Sequence, residues 1–232
     1  MVMFDPDEKI VPGRLRPRDA ATLVLVRCDS DAPRVLMGCR HSKMAFMANK
    51  YVFPGGRIDP GDQRIAVTKD LRPPVMARAA QGITESRARG LALAAIRETF
   101  EETGVLIGER GAPPRTRSRG WKKFFAHGIV PVLDGLELIA RAITPPNRPR
   151  RFDARFFMAD VGAVAHTLDA AHNEELLQPS WLTLTEARAL DLPGITRRVL
   201  EEVESRLADG PDPGRPAPFF RFLHGKTVET WF

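Results

Sequence analysis

The sequence predicts an α+β domain in which short apolar strands mix with a few amphipathic helices. It lacks the regular strand–helix–strand alternation of a doubly wound parallel sheet. Two observations carry this prediction. Runs of strand length, rich in Val and Leu, lie at Ala21 to Cys28 and Arg34 to Arg40, on either side of Asp29 to Pro33, and such a pair reads as a hairpin. Two longer segments, Leu91 to Thr103 and Ile195 to Leu207, carry apolar residues at helical spacing,. At 232 residues with 43% hydrophobic content, one compact domain with an insertion is the simplest organisation.

Taken in order, residues 1–20 are rich in Pro, Asp and Arg and read as an N-terminal arm, with the domain proper at 21–207 and a C-terminal tail at 208–232. Tyr51 to Phe53 is a third short strand, ended by the turn Pro54-Gly55-Gly56. Residues 63–88 are polar, contain Pro73-Pro74, and show weak helical character from Met76 to Ala80. They read as an insertion, expected to act as a lid or a dimer arm. The helix Leu91 to Thr103 stops at Gly104, a residue type suited to a helix C-terminus. A basic, Pro-containing loop from Arg110 to Gly120 precedes a short helix, Trp121 to Ala126. Strands at Glu137 to Ile143 and Arg155 to Ala159 flank the turn Pro145 to Pro149,. Glu175 to Leu184 should hold a strand ending at Trp181, and Thr185 opens a helix through Leu190. Along the last helix, Ile195, Val199, Leu200, Val203 and Leu207 share a side. Asp209 to Pro218 is a linker, and Phe219 to Phe232 is apolar enough to dock back or to meet a partner, as in a homodimer.

Composition narrows the function classes. The net charge of +6 favours anionic partners. The arginines look dispersed, and with one tyrosine and three tryptophans the basic-plus-aromatic stripe of a single-strand binder is not evident. Cys28 and Cys39 lie in apolar runs and read as small buried hydrophobes; there is no CxxC and no zinc spacing,. No signal-like opening and no apolar run near transmembrane length are present, so the chain reads as cytoplasmic and free of membrane. Gly55-Gly56 does not form the GxGxxG of a dinucleotide-binding turn,.

The segment Arg97-Glu98-Thr99-Phe100-Glu101-Glu102-Thr103-Gly104-Val105 carries the chemistry. On a helical wheel Leu93, Ile96 and Phe100 share one side, and Glu98, Glu101 and Glu102 cluster on roughly the opposite one. Like charges four residues apart destabilise a helix by about 0.2–0.5 kcal/mol per pair. A hard divalent cation offsets that repulsion, because Mg²⁺ and Mn²⁺ take oxygen ligands. The plainer reading is a solvated acidic face. Upstream, Phe53-Pro54-Gly55-Gly56-Arg57-Ile58-Asp59-Pro60-Gly61-Asp62 is a strand end, a double-glycine turn and an acidic turn, and it tips the balance towards the metal.

Together these stretches resemble the Nudix hydrolases, whose box reads G, five residues, E, seven residues, REUXEEXGU, with U bulky and aliphatic. The second half matches Arg97 to Val105, with Thr99 in the place of U. The first half matches at Gly56, with Asp62 where Glu is usual. The spacer between Asp62 and Arg97 is thirty-four residues (63 to 96) instead of seven. A split box of this kind is similar to the branch of peroxisomal coenzyme A diphosphatases and their bacterial relatives, as is the stretch from Phe46-Met47 through Asp62. The resemblance runs more loosely through Arg151 to Phe157 and Trp181 to Leu184, and so covers most of residues 20–205.

The resemblance implies a Nudix fold, a mixed β-sheet sandwiched between helices, with the insertion inside the box. It implies hydrolysis of a diphosphate linkage with Mg²⁺ or Mn²⁺. Coenzyme A or acyl-CoA is the preferred substrate, so the expected partner is a small diphosphate and nucleic acid is disfavoured. Other substrates (a nucleotide sugar, ADP-ribose, NADH, a dinucleoside polyphosphate, capped RNA) stay open, as does a non-catalytic nucleotide sensor. By the match, Glu98 and Glu102 are the first metal ligands, joined by Glu101 and by the carbonyl of Gly56, where a Gly-Gly turn allows close approach. Arg97 pairs with carboxylates of the site. Asp59 and Asp62 orient Arg97 or reach the metal through water. The general base is sought at Glu174 or Glu175, with His172 nearby. Arg40 is the expected phosphate contact, with His41, Lys43 and the Gly55-Gly56 turn beside it.

Overall fold

The strand foreseen at Ala21 to Cys28 runs Arg18–Arg27 (β1) and is buried on both faces. Ala21, Leu23 and Leu25 point into one hydrophobic cluster, and Val24 and Val26 into another. Burial on both sides explains why β1 reads as a continuous apolar run instead of an alternating one. The chain is a computed structural model that describes residues 15–29, 31–42, 47–168, 176–212 and 214–232. After β1 come β2 (Arg34–Arg40), β3 (Tyr51–Val52), β4 (Gly55–Arg57), α1 (Pro73–Ala79), α2 (Glu85–Thr103), β5 (Val105–Ile107) and β6 (Glu109–Arg110). Then follow α3 (Arg119–Phe125), β7 (Ile129–Val130), β8 (Glu137–Ile143), β9 (Phe152–Asp160), β10 (Val164–Thr167), β11 (Leu176–Thr183), α4 (Leu184–Ala189), α5 (Gly194–Asp209), β12 (Pro218–Leu223) and β13 (Lys226–Trp231).

The main sheet runs β11-β2-β1-β9-β8-β12-β13, with β3 added to β2 and β4 to β1. It is mixed: β1 pairs parallel with β9 and β12 parallel with β8, and the other pairs are antiparallel. One face carries α2 through Leu91, Leu93, Ile96 and Phe100. The opposite face carries α5 through Ile195, Val199, Leu200 and Val203, with Leu184 and Ala187 of α4. The sheet is therefore sandwiched between helices. Each of those buried Leu, Ile or Val side chains contributes about 1.5–3 kcal/mol relative to exposure. Among the described residues, no helix is long and apolar enough to cross a membrane.

Several expectations need correction. Helix α2 begins at Glu85, six residues before Leu91, because Thr84 caps it by accepting from the amide of Arg87 at 3.3 Å; its first turns are too polar to show the period. Gly104 ends it in the left-handed region, φ 73°. The insertion 63–88 is no free lid or arm. Leu71, Val75, Met76 and Ala79 are buried in the core beside α2. The wholly buried Arg155 locks this segment by donating to the carbonyls of Ala79 (2.8 Å) and Gln81 (3.2 Å). Burial pulls Arg155 down to about 10. The segment set aside as a tail, 208–232, instead closes the sheet: Phe219 pairs with Arg141 of β8, and β12 and β13 form a hairpin. The cap of α4 is Thr183, not Thr185, in a capping box with Glu186,. Cys28 is exposed and Cys39 half-buried, so neither is a fully buried hydrophobe.

Candidate active site

The site forms where the C-terminal half of α2 meets the turn between β3 and β4. Arg97 is 3% exposed and makes five hydrogen bonds. Nε and Nη2 donate to Asp62 Oδ1 and Oδ2 (2.9 and 3.0 Å), Nη1 to Glu98 (2.8 Å) and Glu101 (3.2 Å), and Nη2 to the carbonyl of Arg57 (3.0 Å). A planar guanidinium suits this fork-shaped pairing. Burial alone would lower its pKa, but the bonds to Asp62 and the charge of Glu98 outweigh that and raise it.

Asp62 has no exposed surface, and both its oxygens are committed. Oδ1 also accepts from the indole of Trp121 at 2.7 Å, and Oδ2 from the amide of Asp59 at 2.7 Å. Four donors leave it no room to ligate a cation directly. Its part is to anchor Arg97, and Arg97 in turn anchors Glu98 and Glu101.

Glu98 and Glu102, one turn apart, converge on Gly55-Gly56. Glu102 is 2% exposed and accepts from the amide of Gly55 at 2.9 Å. The carboxyl of Glu98 lies against Gly56, where a Cβ would come within 2.4 Å of it; only glycine permits that approach. Pairing of Gly56 with Ala21 in β1 fixes the turn, so the double glycine leads into a short strand. Glu101 stands towards α3, where a Cβ on Gly120 would sit 2.0 Å from its carboxylate oxygen. Burial pushes the Glu98 carboxyl up to about 7 against the pull of Arg97, and Glu101 and Asp62 add to the rise.

A cavity of about 450 Å³ opens on this cluster. Glu98, Glu101, Arg97 and Gly56 line its polar end, Phe53, Phe156 and Ile195 its apolar wall, and Arg40 and Arg150 its basic flank. The Nε of Arg40 is buried with no hydrogen-bond partner among the described residues. His41 does not line the cavity. Glu174, Glu175, His172, Lys43 and Phe46 lie outside the described residues.

A cation's fit to this site rests on donor chemistry. Among the described residues no group of three or more His, Cys, Asp or Glu side chains is gathered to hold a metal. What converges is two carboxylates, Glu98 and Glu102, on one backbone turn. All are hard oxygen donors, and the raised Glu98 marks buried negative charge that Arg97 alone does not compensate. A divalent cation of the Mg²⁺ type fits such a set. Sequence reasoning missed Trp121, Gly120 and Arg150. Trp121 belongs to an apolar stripe with Phe124 and Phe125 that signals core, and it is core: its ring packs on both, 5.2 and 5.5 Å between centroids. Nothing local announces that its N–H reaches Asp62.

No protein-family model matches the chain. It is 32% identical over 152 residues to a Caenorhabditis elegans protein provisionally named nudix hydrolase 7; the match covers 61% of this chain and only 43% of that protein's length. The crystal structure of a NUDIX hydrolase from Alicyclobacillus acidocaldarius superimposes with a TM-score of 0.59 at 26% identity, over 84% of this chain and 99% of the other. The architecture is the Nudix fold.

Proposed function

We infer that this chain is a member of the Nudix hydrolase superfamily and a divalent-metal-dependent diphosphatase. It splits the diphosphate linkage of a nucleoside diphosphate joined to another moiety, by attack of water on phosphorus. The observation that supports this most is the convergence of Glu98 and Glu102 on Gly55-Gly56 beside a buried Arg97, with Glu98, Arg97 and the two glycines lining a cavity that Arg40 and Arg150 also line.

Glu98, Glu102 and the carbonyl of Gly56 would hold the metal, with Glu101 at the edge of the set. Mg²⁺ or Mn²⁺ there supplies charge neutralisation and a more acidic water. The remaining work falls to the chain. Arg97 fixes the carboxylates, so little reorganisation is needed when charge builds on phosphate. Arg40, which lines the cavity, contacts the substrate phosphates, and the apolar wall of Phe53, Phe156 and Ile195 shields the reacting end from bulk water. The general base is placed at Glu174 or Glu175 on the resemblance alone.

Coenzyme A or acyl-CoA is the preferred substrate, on the strength of the split box and of Arg40 in the cavity. The intact carboxylate cluster weighs against a non-catalytic sensor. The test is product formation from a panel of diphosphate substrates with Mg²⁺, Mn²⁺ or EDTA, resolved by mass. Metal-dependent release of 3′,5′-ADP from coenzyme A or its thioesters is the expected result. Cleavage of a different panel member would keep the reaction and move the substrate. A folded enzyme that cleaves none of them would overturn the reading.

A further inference from the structure

The segment from Arg110 to Lys123 holds six cations, Arg110, Arg115, Arg117, Arg119, Lys122 and Lys123, and no acidic residue. The chain has 35 Lys and Arg against 29 Asp and Glu, a net charge of +6, so this one segment supplies the whole excess and the rest of the chain is balanced. All six residues are exposed, and none of their side chains has a hydrogen-bond or ion-pair partner among the described residues. Part of what reads in the sequence as dispersed arginine is gathered here.

The arrangement is ordered. From Pro114 to Arg119 burial alternates residue by residue: Pro114, Thr116 and Ser118 are half-buried, and Arg115, Arg117 and Arg119 are exposed. Alternation of period two places Arg115 and Arg117 on one face of an extended stretch, with Arg119 following at the first residue of α3,. An extended chain covers about 3.3–3.6 Å per residue, so Arg115 to Arg119 reaches up to about 14 Å, beyond the span of a single diphosphate. The inward side ties the ribbon to the site. A Cβ on Gly61 would lie 2.9 Å from Ser118, and one on Gly120 would strike Glu101. The track therefore starts at the rim of the carboxylate cluster.

A line of unpaired guanidinium groups complements a linear polyanion. The aromatic residues beside it, Trp121, Phe124 and Phe125, are buried, so bases have no platform to stack on and recognition falls on phosphates. No exposed large hydrophobic side chain accompanies the cations to anchor in a bilayer, which disfavours a lipid surface. We propose that residues 110–123 bind the phosphodiester backbone of a single-stranded polynucleotide, independently of sequence. This binding does not depend on the function proposed above.

The test is fluorescence anisotropy with a short labelled single-stranded oligonucleotide at several salt concentrations. It compares the native protein with the triple variant Arg115→Gln, Arg117→Gln, Arg119→Gln, both checked for folding by circular dichroism. Single-strand binding loses about 0.7 in log–log salt slope per phosphate contact. The variant should therefore bind at least about tenfold more weakly at low salt with a slope shallower by about 2, while hydrolysing small diphosphates as the native protein does. Equal affinity and slope in the two proteins would overturn the proposal. So would a loss confined to phosphatidylserine vesicles. If neither protein hydrolyses any small diphosphate, the functional reading fails, and the anisotropy still decides the track.

Discussion

The indole N–H of Trp121 donates to Oδ1 of Asp62 over 2.7 Å, and that same oxygen accepts from Arg97 Nε over 2.9 Å. Two residues fifty-nine positions apart thus belong to one chain of contacts: Trp121 to Asp62, Asp62 to Arg97, Arg97 to Glu98 and Glu101. Trp121 does not line the cavity. Its influence on the site passes through Asp62 and makes it a positioning residue.

Trp121→Phe keeps the aromatic packing against Phe124 and Phe125 and removes the one N–H. Outer-shell partners of this kind typically cost 10–100-fold in metal affinity or activity when lost. We expect kcat to fall in that range with KM little changed, and more Mg²⁺ to be needed for half-maximal rate. Steady-state kinetics over a metal titration checks this. A variant with native kcat and metal response would remove Trp121 from the account.

Asp62→Ala leaves Arg97 buried with its main partner gone. Breaking a buried pair in this way costs about 3–5 kcal/mol, a large share of a domain's stability. Urea unfolding should show a midpoint shift of that size, or loss of the folded state. A loss below about 1 kcal/mol would mean that Arg97 finds its compensation in Glu98 and Glu101 alone.

Arg40→Gln addresses the cavity's basic flank. Because Arg40, at the cavity wall, is assigned to a ground-state phosphate contact, KM should rise about tenfold or more, as for a lost charge-assisted hydrogen bond, with kcat nearly constant. Stability should hold or improve, since a buried donor without a partner is removed. An unchanged KM on every cleaved substrate would refute the assignment.

Much of this architecture is legible in the sequence where a strong period coincides with burial. β1, β8, α5 and the second half of α2 are such elements. The carboxylates are legible because their chemistry demands like charges at helical spacing, a pattern that folding alone disfavours. Other features are hidden for physical reasons. Polar composition masks the core positions Leu71, Val75 and Ala79, four apart, so 63–88 looks detached. The pairing of β12 with β8 is non-local, and no turn signal announces it. Trp121 looks like core because it is core; only the tertiary packing of α3 on α2 sets its N–H against Asp62.

The central claim is that the carboxylates organised by Arg97 hold a divalent cation for diphosphate hydrolysis. Glu102→Gln tests it most directly, with Mn²⁺ binding measured by calorimetry and turnover measured on the same folded sample. Glutamine keeps an acceptor for the Gly55 amide while removing the charge. The account predicts an intact fold, Mn²⁺ affinity lowered by about 10-fold or more, and turnover abolished. Native turnover in that variant would contradict it.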